Sequence, residues 1–356
     1  MPKSKLRIFG VVNHVGNQYE MLKLADKYDC EFTYLENNVR KWIDVPSINL
    51  ARPIPKHLKW TDRYEKGKYD VAILHVDQQH VDPKIGKGHL YRAVNDVIQD
   101  IPKIVINHGT PMWDEFFTED VVINGGTVQA RKGPRHLTGM KKLIGDNFMI
   151  CNSYKAVERW GWGYPVIHGL SPDEWPEYPK EPRITISLSP GGLDKYYNRT
   201  LLTAIKGHVK EKLGQDMTHI TVNYLTNSWE DYKRHLGSSL IYVNPTLDSP
   251  MPRARTEAMM MGCCVLTSKH HNADEFIKQG VNGFIVPDNP LSYAETIYEL
   301  VNNNYRESVE IGKRGRETAI KHFNSDRYLE DIWHVITEVA NGNKPEWDGK
   351  KIWDED

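Results

Sequence analysis

The chain reads as two doubly wound α/β units in tandem. Three observations predict this. Short apolar, strand-like runs alternate with helical stretches along the 356 residues; a proline-rich segment interrupts the alternation near the middle; the alternation then restarts. Such a pattern implies mostly parallel sheets covered by helices on both faces, with ligands beyond the carboxyl ends of the strands. At about 150 residues per domain, the length suits two domains.

In the first unit, residues 1–168, Leu6–Val12 reads as a buried strand and Asn13, Gly16 and Asn17 as a loop. Gln18–Lys27 reads as a helix with Met21, Leu22 and Ala25 on one side. Glu31–Leu35, Tyr69–Leu74 and Lys103–Asn107 are further strands, with helical material around Leu90–Gln99. Ser171–Pro182 holds four prolines in twelve residues, which excludes a helix or a central strand, so 169–182 reads as a linker. The second unit, 183–324, has strands at Arg183–Ser189, His219–Leu225, Leu240–Asn244, Cys263–Thr267 and Gly283–Val286. Helices at Thr200–Leu213, Glu230–Leu236, Arg253–Met261, Asn272–Gln279 and Leu291–Asn302 separate them. A last helix over 325–341 sets Tyr328, Leu329, Ile332, Trp333, Ile336 and Val339 on one stripe, long enough to pack across both domains. The tail, 342–356, is rich in charge, Gly and Trp and is expected to be loosely held.

Lys+Arg number 46 and Asp+Glu 47, so the formal net charge is −1. That excludes a global basic field for nucleic acid or anionic lipid and leaves room for a local patch. No apolar run approaches the roughly 20 residues of a membrane span, and the basic start has no apolar stretch behind it, unlike a signal peptide. Cys30, Cys151, Cys263 and Cys264 form no CxxC pair and read as reduced thiols in a cytoplasmic setting.

The most informative segment runs from Asp248 to Thr267. A strand ends at Asn244; a loop with Pro250 and Pro252 leads into a helix; Gly262 and a strand follow. The amino end of a helix favours an anion, commonly phosphate. Arg253 and Arg255 in the first turn oppose the helix dipole, so they point to an anionic partner rather than to helix stability. Glu257, one turn on, suits two adjacent hydroxyls such as those of a ribose. An ordinary solvated helix fits the same residues, and this segment alone does not separate the two.

Glu257-Ala-Met-Met-Met-Gly262, followed by Glu275 and Asn282-Gly283, resembles the donor half of retaining GT-B glycosyltransferases of family 4. Cys151-Asn-Ser-Tyr-Lys-Ala156 and Val166–Trp175 resemble the approach to that family's interdomain crossing, and Ile104–Thr110 the strand whose terminal His points at the donor sugar. The resemblance covers about half the chain and is specific in combination. It implies a GT-B fold of two Rossmann-like domains, with the acceptor on the N-terminal one and a nucleoside-diphosphate sugar on the C-terminal one. It further implies transfer with retention, no metal and no other cofactor, and a UDP-sugar by family frequency. Glu257 would hold the ribose and His108 would face the sugar.

The departures lie at the sugar end. Ser249 stands where the family has its first Glu, and Pro250-Met251-Pro252 replaces Gly-Phe-Gly, removing backbone N–H groups. Asp248 is the candidate replacement for the lost Glu. Lys195, Arg199 and Arg253 are candidates for the diphosphate, Arg being suited to bidentate contacts. Ser249, Thr256 and Gly16 complete the expected donor contacts. His75, Asp77, His80 and Asp82 fit no metal-ligand spacing and read as acceptor contacts or packing. The basic stretch 131–142 reads either as a solvated loop or as a contact for a phosphorylated, lipid-linked or nucleic-acid acceptor. Two further readings stay open: a transferase acting on modified DNA, and a non-catalytic nucleotide-sugar or glycan-binding protein with an altered site.

Overall fold

The computed structural model describes residues 5–12, 14–44, 52–81, 87–111, 118–123, 126–131, 133–186, 198–213, 219–220, 228–246, 249, 251–270 and 272–354. The first sheet contains β1 (Leu6–Gly10), β2 (Cys30–Leu35), β3 (Trp60–Thr61), β4 (Val71–Val76) and β5 (Lys103–Asn107). After a separate antiparallel hairpin, β6 (Thr118–Ile123) and β7 (Gly126–Arg131), it is completed by β8 (Phe148–Cys151) and β9 (Tyr164–Pro165). Its order is β3-β2-β1-β4-β5-β8-β9, and every pairing is parallel. All six residues of β4 are buried, as expected of a central strand covered on both faces. The covering helices are α1 (Val15–Leu22), α2 (Leu24–Lys27), α3 (Glu36–Asp44), α4 (Gly88–Val97), α5 (Gly133–Ile144) and α6 (Tyr154–Trp160). Ser153 Oγ caps α6 by accepting from the Ala156 N–H, and Gly161, at φ 74°, ends it in the left-handed conformation that favours glycine.

The second sheet has the order β11-β10-β12-β13-β14, again parallel. Its strands are β10 (Glu181–Ile186), β11 (His219–Ile220), β12 (Ser239–Asn244), β13 (Cys264–Thr267) and β14 (Phe284–Ile285). The helices are α7 (Arg199–Leu213), α8 (Trp229–Ser238), α9 (Arg253–Met260), α10 (Ala273–Phe276), α11 (Pro290–Tyr298), α12 (Tyr305–His322) and α13 (Ser325–Ala340). Strand β10 starts two residues earlier than the prolines predict; a register shift between Glu181 and Ile184 accommodates Pro182. Tyr328, Leu329, Ile332, Ile336 and Val339 of α13 pack into the core of the first sheet with Ile8, Phe32 and Ile104, so the chain crosses back to its first lobe.

Three expectations need correction. Gly16 and Asn17 are not loop residues: the Asn17 and Gln18 N–H groups both bond to the His14 carbonyl and open α1. The 131–142 stretch is not a loop either. It is the end of β7 and most of α5, whose Leu137, Met140 and Ile144 recur at helical spacing and pack on the first sheet. The tail is not loose. Trp353 is 7% exposed, its Nε1 donates to Glu275 Oε2 at 2.8 Å, and its ring meets Tyr154 and Phe276. No helix of the described residues is long and apolar enough to cross a membrane.

Candidate active site

The chemistry-bearing side chains meet where the carboxyl end of the first sheet faces the amino end of α9. His108 follows directly on β5, and its N–H bonds to the Val76 carbonyl at 2.9 Å. The next residue, Gly109, donates to Asn107 Oδ1 and accepts from Trp160 Nε1 at 2.8 Å. A Cβ on Gly109 would lie 1.7 Å from Gln78 Oε1 and 2.9 Å from the Gln78 backbone nitrogen, so any larger residue would have to displace Gln78. The loop that carries His108 is therefore held by packing from both sides.

Across the lobe boundary, α9 places Arg253 and Glu257 one turn apart on one face. Arg253 Nη1 donates to Asn17 Oδ1 at 3.0 Å, and Nη2 to Glu20 Oε1 at 3.2 Å, both on α1 of the first lobe. Its Nε lies 3.2 Å from Glu257 Oε1. Arg52, 1% exposed, crosses from the first lobe to the same oxygen: its Nη2 donates to Glu257 Oε1 at 2.5 Å. Its guanidinium lies over the rings of Trp229 and Trp175, at 4.5 and 5.2 Å. Tyr232 OH donates to Glu257 Oε2. Burial alone would lower the Arg52 pKa; Glu257 and Glu20 more than reverse that. Arg253 is lowered, by burial and then by the neighbouring Arg52 cation. Burial and the Glu257 carboxylate raise the Tyr232 hydroxyl well above its ordinary value. Both oxygens of Glu257 are thus engaged by protein.

The imidazole of His108 is 2.8 Å from that of His75, Nε2 to Nδ1, and its Nδ1 is 3.3 Å from Asn17 Nδ2. His75 Nε2 is in turn 2.7 Å from the Gln18 amide. Burial lowers the His75 pKa to about 3 and that of His108 well below its ordinary value, so both rings are neutral near pH 7.

The segment 199–303 matches the family model "Glycosyl transferases group 1". A curated relative, spore coat protein SA of Bacillus subtilis, is 25% identical over 143 residues, 40% of this chain and 38% of that protein's length. Among solved structures, sucrose-phosphate synthase of Thermosynechococcus elongatus superposes with a TM-score of 0.62 at 12% identity, over 95% of this chain and 100% of that one. HepE of Anabaena, solved with UDP and glucose, gives 0.59 at 13% identity, over 93% and 99%. A glycosyltransferase of Rickettsia africae gives 0.58 at 12% identity, over 94% and 98%.

The fold is GT-B.

Within this GT-B frame, the predicted residues divide into three groups. Glu257, Arg253, Gly16 and His108 come together at the lobe boundary. Gly16 lies so close that a Cβ there would sit 2.8 Å from Arg253 Nε. Thr256, next to Glu257 on α9, is fully buried, with Oγ1 unpartnered, and Ser249, four residues before that helix, is half-buried. Arg199 is half-buried and opens α7. Asp248 and Lys195 lie outside the described residues, as does Asp82. Arg52, Tyr232, Glu20 and His75 join these residues at the lobe boundary without having been predicted as donor contacts. For Arg52 the sequence offers no signal, because its partner lies 205 residues away. Among the described residues, no group of three or more His, Cys, Asp or Glu is placed to hold a metal ion.

Proposed function

We propose that the chain is a glycosyltransferase that moves a sugar from a nucleoside-diphosphate sugar, first of all a UDP-sugar, to an acceptor held by the first lobe. Transfer keeps the anomeric configuration and needs no metal. One observation carries this reading: Arg253 and Glu257 share one face of α9 at the lobe boundary, and Asn17 joins Arg253 there to His108. The amino end of α9 and Arg253 supply the charge that a diphosphate needs, with Lys195 and Arg199 as further cations. Glu257 accepts from the ribose hydroxyls. Thr256, Ser249 and Gly16 border the donor, Asp248 takes a sugar hydroxyl, and His108 faces the sugar. Such a site works by positioning two substrates and stabilising the leaving diphosphate.

Binding then exchanges contacts. A phosphate takes Arg253 from Asn17 and Glu20, and a ribose takes Glu257 from Arg52. A second reading, a nucleotide-sugar binder without turnover, draws on this point, because both oxygens of Glu257 are already satisfied. Melting the protein with UDP, GDP, ADP and their sugars tests the first step. A ligand at 100 times its Kd stabilises the fold by about 2.7 kcal/mol. We expect UDP to raise Tm and Glu257→Ala to abolish the rise; no rise with any nucleotide removes both readings. Release of UDP with an acceptor panel, unchanged by EDTA, separates the enzyme from the binder.

A further inference from the structure

We propose that Asn17 is a positioning residue that holds His108 as the Nε2–H tautomer, with Nδ1 as acceptor, by passing on across the lobe boundary an orientation set by Arg253.

A guanidinium only donates, so the Asn17 atom 3.0 Å from Arg253 Nη1 is its carbonyl oxygen. That leaves the Asn17 NH2 facing His108 Nδ1 at 3.3 Å. An amide nitrogen also only donates, so Nδ1 must accept. A neutral imidazole then carries its proton on Nε2 and donates to His75 Nδ1, 2.8 Å away. His75, also neutral, carries its proton on Nε2 and needs an acceptor in the Gln18 amide at 2.7 Å. The amide orientation that sets Gln18 Nε2 against His75 Nε2 opposes two donors and leaves Gln18 Oε1 buried without a partner. Reversing the amide removes both faults. It turns the NH2 to the side where the unpaired oxygen stood. Gln18 also lines a cavity of about 20 Å³ with Asn152 and His168, whose Oδ1 and Nε2 are buried and unpartnered. The cavity has room for one water. The whole line therefore has a single sense: Arg253 to Asn17, Asn17 to His108, His108 to His75, His75 to Gln18.

Both nitrogens of His108 are committed while the Arg253–Asn17 bond stands, and neither offers an N–H to a sugar. That consequence rests on the glycosyltransferase reading; the tautomer does not.

The test uses the full chain labelled with ¹⁵N-histidine and long-range ¹H–¹⁵N correlation slightly above neutral pH, with His108→Gln to assign the signals. We expect unprotonated Nδ1 and protonated Nε2 at His108. In Asn17→Asp the side chain only accepts: one oxygen takes Arg253 and the other demands a proton from Nδ1, so Nδ1 becomes protonated. In Gln18→Glu an acceptor replaces an acceptor, and His108 keeps its tautomer. A purely structural role for Asn17 predicts no such asymmetry. The proposal is overturned if wild-type Nδ1 carries the proton, if Asn17→Asp leaves it bare, or if Gln18→Glu protonates it. Should either variant fail to fold, the wild-type spectrum alone decides. Failure of UDP to bind removes the reading of the function and leaves this result untouched.

Discussion

The acid at position 257 is 4% exposed and faces two arginines, Arg52 and Arg253. A pair this buried costs much to desolvate, and removing one partner strands the other. Glu257→Gln keeps an acceptor for Tyr232 but leaves Arg52 without its nearest carboxylate. We expect a loss of about 3 kcal/mol in urea unfolding. An unchanged midpoint would show that Glu20 compensates for both cations. The buried histidines set a pH dependence. His75, His108 and His168 are 5–6% exposed, and burial above all depresses their pKa values, His75 to about 3. The unfolded chain binds protons at these groups below about pH 6.5 and the folded chain does not, so stability is full above that pH and falls as the pH drops. At pH 5 His75 alone accounts for roughly 2 kcal/mol, with the other two acting in the same direction. Urea melts from pH 7 to 5 check this, and His75→Gln shallows the slope. Glu257, Arg253 and His108 were legible in the sequence because each sits in a local motif of strand end or helix start. Arg52 and Tyr232 were not: their positions come from contacts between distant segments, which no spacing encodes.

At the scale of elements, the crossing of α9 and α12 depends on missing side chains. A Cβ on Gly312 would lie 2.2 Å from the Gly262 carbonyl oxygen, and Gly262 itself has φ 69°, where L-residues are strained. Both positions concern rigid backbone, so no rotamer change relieves the clash. Gly312→Ala is expected to cost about 1–3 kcal/mol, as overpacking does. Gly207, inside α7, meets nothing within 4 Å. Gly207→Ala should instead gain about 0.5–1 kcal/mol. Paired thermal melts test the opposite signs; a gain at Gly312 would mean that the two helices have room to part. This crossing also explains what the sequence hid. Strands β1, β2, β4 and β5 of the first sheet and those of the second were legible as apolar runs because parallel strands are buried on both faces, whereas the short β3, β8 and β9 were missed. Helix α12 was missed although its last turn carries Lys321 and His322, as helix ends favour. Its Gly312 and Gly315 look like breakers until the partner helix is in view. In 131–142 the charges masked a helical apolar period that packs on the first sheet.

Across the whole molecule, the chain closes on itself twice: α13 packs on the first lobe, and the tail beyond it returns to the seam. The Tyr154 hydroxyl, from α6 of the first lobe, accepts from the Ile352 N–H at 2.9 Å. Glu275, from α10 of the second lobe, accepts from Lys351 Nζ at 2.9 Å and from Trp353 Nε1. The Trp353 ring fills the space between Tyr154, Phe276 and Phe323. Composition misled here because charge and glycine dominate the segment, whereas a few aromatic groups decide where it docks. If Trp353 is the anchor, Trp353→Ala frees the whole tail, and its cost equals that of deleting 343–354. Both should lose about 3 kcal/mol, the lower end for a large aromatic removed from a core, because a tail that undocks alone leaves the sheets folded. A deletion that costs much more than the point change would place the anchor elsewhere, at Lys351 or Trp347. The strap also touches both lobes, so its loss should widen their relative excursion and raise the radius of gyration in solution scattering. An unchanged radius would assign the lobe arrangement to α13 and to the Arg253 contacts with Asn17 and Glu20 instead.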